Sequence, residues 1–381
     1  MRYTGHMAPE PDPSVTVSAW AGSTNLGDEL ILAALLAKLR RRGVSAHVLS
    51  VDPSGTTAVQ RAPASSSAEL LLRGNRRPPA VLLGGGGLLQ DETSPFNLPF
   101  HLGRTLLAAA CGRPVAGIGL GAGPLTGALG RRMTELALRR MVGVSVRDAG
   151  SGEVLRSLGI EAALAADLAV SLPTPQVKVE ARVGVSLRPW TGTSRWLPVA
   201  VGRSVTPSLP AWFVPAMAAA LDGVASSTGL AIHFVALQAD RDDAVHHLVA
   251  DHMRSDVTFA VPDVGTVVAE LASCQAVVAM RYHAGIAALL GGRPAVLIGY
   301  SPKVPSLALE VPRGMAGLSW EPAPLATLDR TLDQVLHQGK AVVEGRERLR
   351  ERERVNDEVL DKLLDAAGRR RVRTRRRPPR S

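Results

Sequence analysis

Cysteine and aromatic residues are scarce in this 381-residue chain, which has 2 Cys and only 3% Phe, Tyr and Trp. The two cysteines, Cys111 and Cys274, stand alone in apolar surroundings and form no Cys-x-x-Cys pair. This pattern excludes a disulfide framework and a cysteine zinc site, and it fits a reduced, cytoplasmic protein. No His, Asp and Glu residues are grouped at metal-ligand spacing either, so we expect neither a metal nor a cofactor.

Long apolar runs are also missing. No stretch of about 18 apolar residues occurs, so we expect no membrane-spanning helix. Residues 1–14 carry charges and three prolines but no apolar segment of the kind found in secretory signals, and we interpret them as a disordered leader. The apolar content of 46% is enough for hydrophobic cores, which must consist mainly of Ala, Val and Leu. The length suits two domains of ordinary size.

Charge is unevenly distributed along the chain. The net charge is +10, and residues 368–381 contribute eight Arg and no acid, so the rest of the chain is close to neutral. Such a block is usually solvated and disordered, with or without a polyanionic partner. An anionic membrane surface is the partner that best suits the Arg tail at 369–380, and the protein would then be peripheral at the inner face of the plasma membrane. We expect no specific nucleic-acid binding, because neither interleaved aromatics nor a nucleic-acid module is present.

Short apolar strands alternate with helical patterns, and the alternation restarts near residue 183. It predicts parallel sheets and an α/β fold with two Rossmann-like domains facing each other across a cleft. We place the disordered leader at 1–14, the N-terminal domain at 15–175, the C-terminal domain at 176–340, a C-terminal helix at 341–367 and the Arg-rich disordered tail at 368–381.

Two unusual loops follow strands of the N-terminal half. In Asn25-Leu26-Gly27-Asp28-Glu29, Gly27 allows a turn and Asp28 can cap the next helix; capping alone would explain Asp28. The second loop, at 84–91, reads GGGGLLQD. Glycines after a strand let a ligand approach backbone N–H groups closely, although this run matches neither the dinucleotide-binding pattern nor the Walker loop.

Potential cations collect at strand ends. Arg147 ends one strand, Arg281 and His283 begin the helix after another, and Lys303 follows a third. In open parallel sheets, ligands bind outside the carboxyl ends of the strands, and helix N-termini there favour anions. We therefore expect a pocket for a compact anion. A surface pair of Arg147 with Asp148, and a purely structural histidine at 283, are the alternatives.

Taken in order, these motifs resemble those of the polysaccharide pyruvyl transferase family. The matching segments are NxGDE at 25–29, GGGGLLQD at 84–91, GIGLG at 117–121, SVRDxxS at 145–151, ADLA at 166–169, RYHA at 281–284 and SPKV at 301–304. The resemblance implies a two-domain protein of the glycosyltransferase GT-B type. Such a protein moves the enolpyruvyl group of phosphoenolpyruvate onto two hydroxyls of a sugar, as a pyruvate ketal. Acceptors in the family are often lipid-linked repeat units of cell-wall polysaccharide or exopolysaccharide.

The resemblance assigns phosphoenolpyruvate contacts to Arg147, His283 and Lys303, and Arg281 is a neighbouring cation. The phosphate and carboxylate of this donor suit a guanidinium fork and an ammonium charge. His283 is also our candidate for the general acid, since an imidazole can give and take a proton near neutral pH; phosphate binding alone stays open. The sequence departs from the family pattern at Tyr282, where Leu or Phe is usual, at the extra Ala122, and in the basic tail.

Three aspartates are candidates for orienting acceptor hydroxyls or for acting as the base, and of these Asp28 is placed with His283 in the catalytic set. They are Asp28, Asp91 and Asp167. The expected cradle for the acceptor also includes Asn25, Gly27, Gly85 and Gly86.

Two other functions remain open at this point. A nucleotide-sugar glycosyltransferase would share the two-domain architecture and would need an acidic residue for the ribose, for which Glu270 or Glu310 could serve. A non-catalytic binding protein that kept the fold is the second alternative. Fold analogy alone does not separate these cases.

Overall fold

A computed structural model describes residues 15–66, 80–92, 94, 96–189, 209–299, 304 and 306–375. The predicted leader at 1–14, the proposed ligand Lys303 and the last part of the tail at 376–381 lie outside the described residues. None of the helices in the described part is long and apolar enough to cross a bilayer.

The first sheet has eight parallel strands in the order β3-β2-β1-β4-β6-β7-β8, with β5 also paired to β6. The strands are β1 (Val15–Ala21), β2 (Ala46–Ser50), β3 (Ala64–Ser65), β4 (Ala80–Leu83), β5 (Gly86–Leu89), β6 (Val115–Ala122), β7 (Val144–Val146) and β8 (Ala163–Leu164). The helices that accompany them are α1 (Leu26–Arg41), α2 (Pro53–Gln60), α3 (Asn97–Ala110), α4 (Ala128–Leu138) and α5 (Ala149–Arg156).

The second sheet has six parallel strands in the order β11-β10-β9-β12-β13-β14, which is the doubly wound Rossmann order. The strands are β9 (Glu180–Ser186), β10 (Ala231–Val235), β11 (Val257–Ala260), β12 (Cys274–Ala279), β13 (Ala295–Gly299) and β14 (Met315–Ser319). The accompanying helices are α6 (Phe213–Thr228), α7 (Ala239–Ala250), α8 (Val267–Ala272), α9 (Tyr282–Gly291), α10 (Ser306–Glu310), α11 (Pro322–Leu325) and α12 (Leu328–Leu336). The predicted α/β class with two parallel sheets is confirmed.

Aliphatic side chains dominate the described cores, as the composition predicts. The two largest clusters consist mostly of Ala, Val, Leu and Ile, with Phe213 and Phe234 as fully buried aromatics of the second domain. The first cluster is continuous between the domains: Leu35 of α1 and Ile286 of α9 both belong to it. The two domains therefore share buried apolar surface.

The glycine run differs from its prediction as an open turn. Gly86 begins β5, whose parallel pairing to β6 uses backbone groups that an open cradle would leave free. A side chain at Gly85 would meet Leu168 Cδ1 at 2.8 Å, and Gly84 lies against Ala19. These two glycines are therefore needed for close packing.

The C-terminal region also differs from its prediction. The single helix expected at 341–367 is two helices, α13 (Gly339–Glu353) and α14 (Val355–Arg375), separated at Arg354. The second helix continues into the segment that we expected to be disordered from residue 368. Arginine is a good helix former and the first proline after this point is Pro378, so nothing stops the helix at Gly368.

A buried lysine fastens these C-terminal helices to the first domain. Lys38 of α1 is 1% exposed, and its Nζ lies 2.9 Å from Glu353 Oε2 and 2.8 Å from Asp357 Oδ2. Asn356 donates to Ala166 O at 3.0 Å and accepts from Ser145 Oγ at 2.6 Å. Burial raises the pKa of Glu353 to about 7, against the opposing attraction of Lys38.

We expect Lys38→Met to lower the free energy of unfolding by about 3–5 kcal/mol, since removing one partner leaves buried charge uncompensated. The effect should be larger at pH 8 than at pH 6. Because the folded-state pKa of Glu353 is raised to about 7, its protonated form stabilises the fold, and this contribution is lost as the pH rises through that pKa. At pH 8 Glu353 is therefore ionised, and the loss of Lys38 leaves its charge without a partner. Urea unfolding at the two pH values measures both effects.

Lys362→Met is the matched control, because Lys362 is an exposed residue of α14. It should change stability by less than about 0.5 kcal/mol. A Lys38 variant as stable as this control would contradict a role for the buried pair in holding α13 and α14.

Candidate active site

The strand order of each sheet reverses at one point, and these two points face each other. In the first sheet the reversal lies between β1 and β4, and in the second between β9 and β12. Ligands of open parallel sheets bind at such positions. The loop after β1 leads into α1 and the loop after β12 leads into α9, so two helix N-termini meet between the domains.

Gly27 lies directly against His283 across this interface. A Cβ on Gly27 would lie 2.3 Å from His283 Nδ1, so only a residue without a side chain allows this approach. Nearby, the backbone N–H of Leu26 donates to Leu237 O at 2.8 Å. Thr24 Oγ1 donates to Asp240 Oδ1 at 2.8 Å, which adds a side-chain bond across the same interface. The domains are closed on one another at the candidate site.

Asn25, and not Asp28, is the N-cap of α1. Its Oδ1 accepts from Gly27 N at 3.2 Å, which corrects the capping role that the sequence allowed for Asp28. Asn25 Nδ2 donates to Asp28 Oδ2 at 2.6 Å and holds that carboxyl toward the interface. Burial raises the pKa of Asp28, although His283 and Asn25 both oppose the rise.

Asp167 lies between the two predicted cationic residues. Its Oδ1 accepts from Ala169 N at 3.0 Å, which fixes the carboxylate at the start of a 3₁₀ turn. Its Oδ2 lies 3.6 Å from His283 Nε2 and 3.5 Å from Arg147 Nη1. Burial alone would raise the pKa of Asp167, but the charges of His283 and Arg147 outweigh it and hold the pKa below its usual range.

The imidazole of His283 is not fully satisfied by these contacts. Its side chain is 11% exposed, and Nε2 has no hydrogen-bond partner among the described residues, because 3.6 Å to Asp167 is too long for one. A buried polar atom without a partner is costly, and such atoms in native proteins call for a ligand, a water or a catalytic role. His283 Nε2 is therefore available to a bound group.

Arg147 is held by two acids and an aromatic ring. Its Nε donates to Asp148 Oδ2 at 3.2 Å, and its guanidinium carbon lies 4.4 Å from the centre of the Tyr282 ring. A Cβ on Gly121 would lie 3.0 Å from Arg147 Nε, so this glycine makes room for the side chain. Burial alone would lower the pKa of Arg147, but Tyr282, Asp167 and Asp148 together raise it. The guanidinium is therefore a permanent charge at the interface.

The structure brings most of the predicted site residues together. Gly86 touches the group as well, since a Cβ on it would lie 3.6 Å from Asp28 Oδ1. The cluster comprises Asn25, Gly27, Asp28, Gly86, Arg147, Asp167, Tyr282 and His283, and we call it the interdomain cluster. The predicted site residue Gly85 is not part of it, because Gly85 packs against Leu168. A small cavity of about 10 Å³ adjoins it, and Arg147, Asp167 and Tyr282 are among the residues that line this cavity.

Two predicted site residues make their contacts elsewhere. Arg281 donates through Nε to Asp242 Oδ2 at 3.0 Å and through Nη2 to Gln238 Oε1 at 3.1 Å. The carboxylate of Asp91 accepts from the backbone N–H groups of Thr126 and Gly127 at 2.8–2.9 Å, just before α4. Arg281 thus fixes the loop before α9, and Asp91 fixes the loop before α4. Sequence motifs could not separate these tasks from ligand binding.

Sequence analysis missed the role of Tyr282 and the acidic partners of the cations. In the sequence, Tyr282 stands out only as a departure from the family pattern. In the structure, its ring packs against the guanidinium of Arg147. Asp242 lies on α7, far along the chain from Arg281, and no sequence signal links the two. The acids considered for a nucleotide-sugar enzyme are already paired: Glu270 with Arg182, and Glu310 with Arg352.

A family model described as polysaccharide pyruvyl transferase matches residues 25–302. A search of curated protein sequences finds no match.

Solved structures share the fold at low sequence identity. The UDP-GlcNAc 2-epimerase from Neisseria meningitidis bound to UDP-GlcNAc is 12% identical, with a TM-score of 0.56 over 92% of this chain and 99% of that chain. The glycosyltransferase SnogD from Streptomyces nogalater is 15% identical, with a TM-score of 0.54 over 93% of this chain and 100% of that chain. The UDP-N-acetylglucosamine 2-epimerase from Rickettsia bellii is 8% identical, with a TM-score of 0.59 over 93% of this chain and 96% of that chain. The predicted GT-B fold is confirmed.

We expect Gly27→Ala to lower the free energy of unfolding by about 1–3 kcal/mol, because the added methyl group overpacks the contact with His283. The site lies between domains, so the same change should increase the radius of gyration in small-angle scattering. Urea unfolding and scattering measure the two effects.

Gly103→Ala provides the control, because Gly103 is also helical and has open space where its Cβ would lie. It should raise stability by up to about 1 kcal/mol. If Gly27→Ala and Gly103→Ala had the same stability and the same radius of gyration, the close approach at Gly27 would not explain why the domains are closed.

Proposed function

Because this chain belongs to the polysaccharide pyruvyl transferase family, we propose that it transfers the enolpyruvyl group of phosphoenolpyruvate to a saccharide. The product is a pyruvate ketal on a cell-surface polysaccharide or on its lipid-linked precursor. One observation carries the proposal: Arg147 and Asp167 of the first domain meet Tyr282 and His283 of the second within one cluster. That cluster combines a permanent cation with a group that can transfer protons.

Donor binding would use the charges of the interdomain cluster. Phosphoenolpyruvate carries a phosphate and a carboxylate, and a guanidinium such as that of Arg147 matches either group with two parallel hydrogen bonds. The N-terminus of α9 offers free backbone N–H groups to the other anionic group. Lys303 follows β13, the neighbour of β12 in the sheet, and is proposed as the second permanent cation. As the donor binds, the ion pairs of Arg147 with Asp148 and Asp167 would weaken.

Proton transfer is assigned to His283 and Asp28. His283 donates a proton to the methylene carbon of the donor, and the adjacent carbon becomes an oxocarbenium-like centre. A sugar hydroxyl adds to this carbon and gives its proton to Asp28, whose raised pKa suits a base that must hold a proton briefly. The bond from carbon to the phosphate oxygen then breaks, and phosphate leaves. The second hydroxyl attacks the same carbon and closes the ketal, and its proton goes to the departing phosphate. The proton on Asp28 then returns to His283 through solvent, which restores both residues.

Asp167 and Arg281 have supporting roles in this mechanism. Asp167 faces the imidazole from the first domain, with Oδ2 3.6 Å from Nε2, and would hold the ring in place for proton transfer. Arg281 is bound to Asp242 and Gln238, so we propose that it positions the start of α9 rather than binding the donor directly. Asn25 and Gly86 border Asp28 and would lie next to the acceptor hydroxyls.

Arg147→Ala and Lys303→Ala are expected to weaken phosphoenolpyruvate binding by about 10- to 100-fold, since a hydrogen bond to a charged group contributes roughly 1.5–3 kcal/mol. His283→Ala should lower kcat by about 100-fold or more if this residue is the acid. His283→Gln keeps a donor for phosphate but cannot transfer a proton, so it should retain binding and lose turnover. Calorimetry of donor binding and phosphate release with an acceptor measure these effects.

His247→Gln is the control for the histidine variants, because His247 is an exposed residue of α7. It should retain full activity. A His283 variant with wild-type kcat would show that His283 is not the general acid. An Arg147 variant with unchanged donor affinity would show that Arg147 does not bind the donor.

The Arg-rich tail is proposed to hold the enzyme at an anionic membrane surface, near a lipid-linked acceptor. Each basic residue near such a surface contributes about 1 kcal/mol. Truncation after Gly368 should therefore reduce co-sedimentation with vesicles containing phosphatidylglycerol and should leave turnover of a soluble acceptor unchanged. Neutral phosphatidylcholine vesicles are the control. Equal binding of the full chain and the truncated chain to anionic vesicles would contradict this role.

A further inference from the structure

The few aromatic residues of the first domain are gathered at one place. Between residues 15 and 189 the sequence contains only three Phe, Tyr or Trp residues, which are Trp20, Phe96 and Phe100. The Trp20 and Phe100 rings lie 5.6 Å apart in an edge-to-face arrangement, and His101 lies 5.9 Å from Trp20. Phe96 is one helical turn before Phe100, whose N–H donates to Phe96 O at 3.0 Å. Together with Arg104 we call these residues the Trp20 shelf.

The Trp20 shelf is a surface feature. Phe96 is 51% exposed, and Trp20 and Phe100 are half-buried. Trp20 packs in part against the aliphatic cluster that includes Leu98 and Leu102 of α3, and His101 is buried, so the exposed part of the shelf is formed by the rings of Phe96, Phe100 and Trp20. Partly exposed aromatic rings are typical of binding surfaces, because they offer large apolar faces at low entropic cost.

Arg104 adds an uncompensated positive charge to the Trp20 shelf. Its guanidinium carbon lies 3.9 Å from the centre of the Phe100 ring. Arg104 Nη1 and His101 Nδ1 are both buried without a hydrogen-bond partner in the described part of the chain. Burial lowers the pKa of Arg104 to about 10, and no described carboxylate pairs with it. Desolvated charge of this kind favours an anionic partner.

The Trp20 shelf borders the interdomain cluster through β5. Asn97 Nδ2 donates to Leu88 O at 2.8 Å and to Gln90 O at 2.9 Å, which fastens the first turn of α3 to the end of β5. Gly86, at the start of the same strand, lies against Asp28. Trp20 itself is next to the last residue of β1, just before the loop that carries Asn25 and Asp28. Both features therefore lie near the carboxyl end of β1, with Trp20 on the face of the strand that packs against α3 and Asp28 in the helix that follows.

We propose that the Trp20 shelf is the acceptor subsite, on which a sugar ring stacks against Trp20, Phe96 and Phe100 while Arg104 pairs with an acidic group of the same saccharide. The acidic group is a carboxylate or a phosphate, since both accept two hydrogen bonds from a guanidinium. This inference rests on the proposed function, because it places the acceptor beside the residues assigned to proton transfer. It also adds a selectivity: acidic saccharides are preferred over neutral ones.

Direct binding without the donor tests the Trp20 shelf independently of turnover. Calorimetry or saturation-transfer NMR would use digalacturonic acid, galactose 1-phosphate and the neutral sugar lactose, each with the full-length protein. The wild type should bind at least one acidic saccharide about 10-fold or more tightly than lactose. If digalacturonic acid is preferred, the acidic group is a carboxylate; if galactose 1-phosphate is preferred, it is a phosphate. Equal affinity for all three, or no binding, would overturn the proposal.

Two variants assign the binding to its residues. Arg104→Gln should abolish the preference for acidic saccharides, by about 10- to 100-fold, and leave lactose binding unchanged. Phe96→Ala should weaken all bound saccharides by about 3- to 10-fold; it removes an exposed ring, so the fold should be retained. Phe259→Ala and Arg254→Gln are matched controls, because both residues are exposed and belong to the second domain.

Turnover separates failure of the subsite from failure of the proposed function. Where the wild type forms a ketal from phosphoenolpyruvate, the shelf variants should raise the acceptor KM and leave the donor KM unchanged. An unchanged acceptor KM in both variants would overturn the subsite while the pyruvyl transfer stands. Acidic-saccharide binding that the two variants weaken would support the subsite even if phosphoenolpyruvate were not a donor.

Discussion

The packing of Gly27 against the imidazole of His283 is the constraint on which the rest of the site depends. Without a side chain at position 27, the N-termini of α1 and α9 approach each other closely enough for one set of residues to span both domains. Asp167 then lies 3.6 Å from His283, and Arg147 lies over Tyr282. A wider interface would leave these groups on two separate surfaces. The contact that closes the domains therefore also brings the residues of the cluster together.

Charge within the interdomain cluster is balanced before any ligand binds. Asp148 and Asp167 compensate Arg147, and His283 lies beside the carboxyl groups of both Asp28 and Asp167. Such compensation keeps buried cations tolerable in the closed protein, because an unpaired buried charge is costly. In the proposed function, an anionic donor would replace these acids as the partner of the cations. One of those carboxylates, Asp28, is the group proposed to take the acceptor proton.

The contrast between Arg281 and Arg147 shows why motif residues cannot all be treated as ligands. Both are arginines at the carboxyl ends of strands, and the sequence marks both. Arg281 is bound by Asp242 of the same domain and holds the start of α9, whereas Arg147 reaches the opposite domain. The same holds for Asp91 and Asp167, of which the first fixes a loop before α4 and the second faces His283. A strand end determines where a side chain starts, and its neighbours in space determine what it does.

Periodicity and composition alone were sufficient to predict the α/β class, the two parallel sheets and the aliphatic cores. The reason is that strand burial and helix amphipathicity depend on the order of neighbouring residues. Motif order was sufficient to indicate the family and most members of the interdomain cluster. The cap of α1 at Asn25 and the length of α14 are local features that sequence reasoning assigned differently. Tertiary structure alone decided that the glycine run pairs as β5. It also decided which of the predicted site residues meet. These features depend on contacts between residues far apart in the chain, such as Asp167 with His283, and local sequence carries no information about such distances.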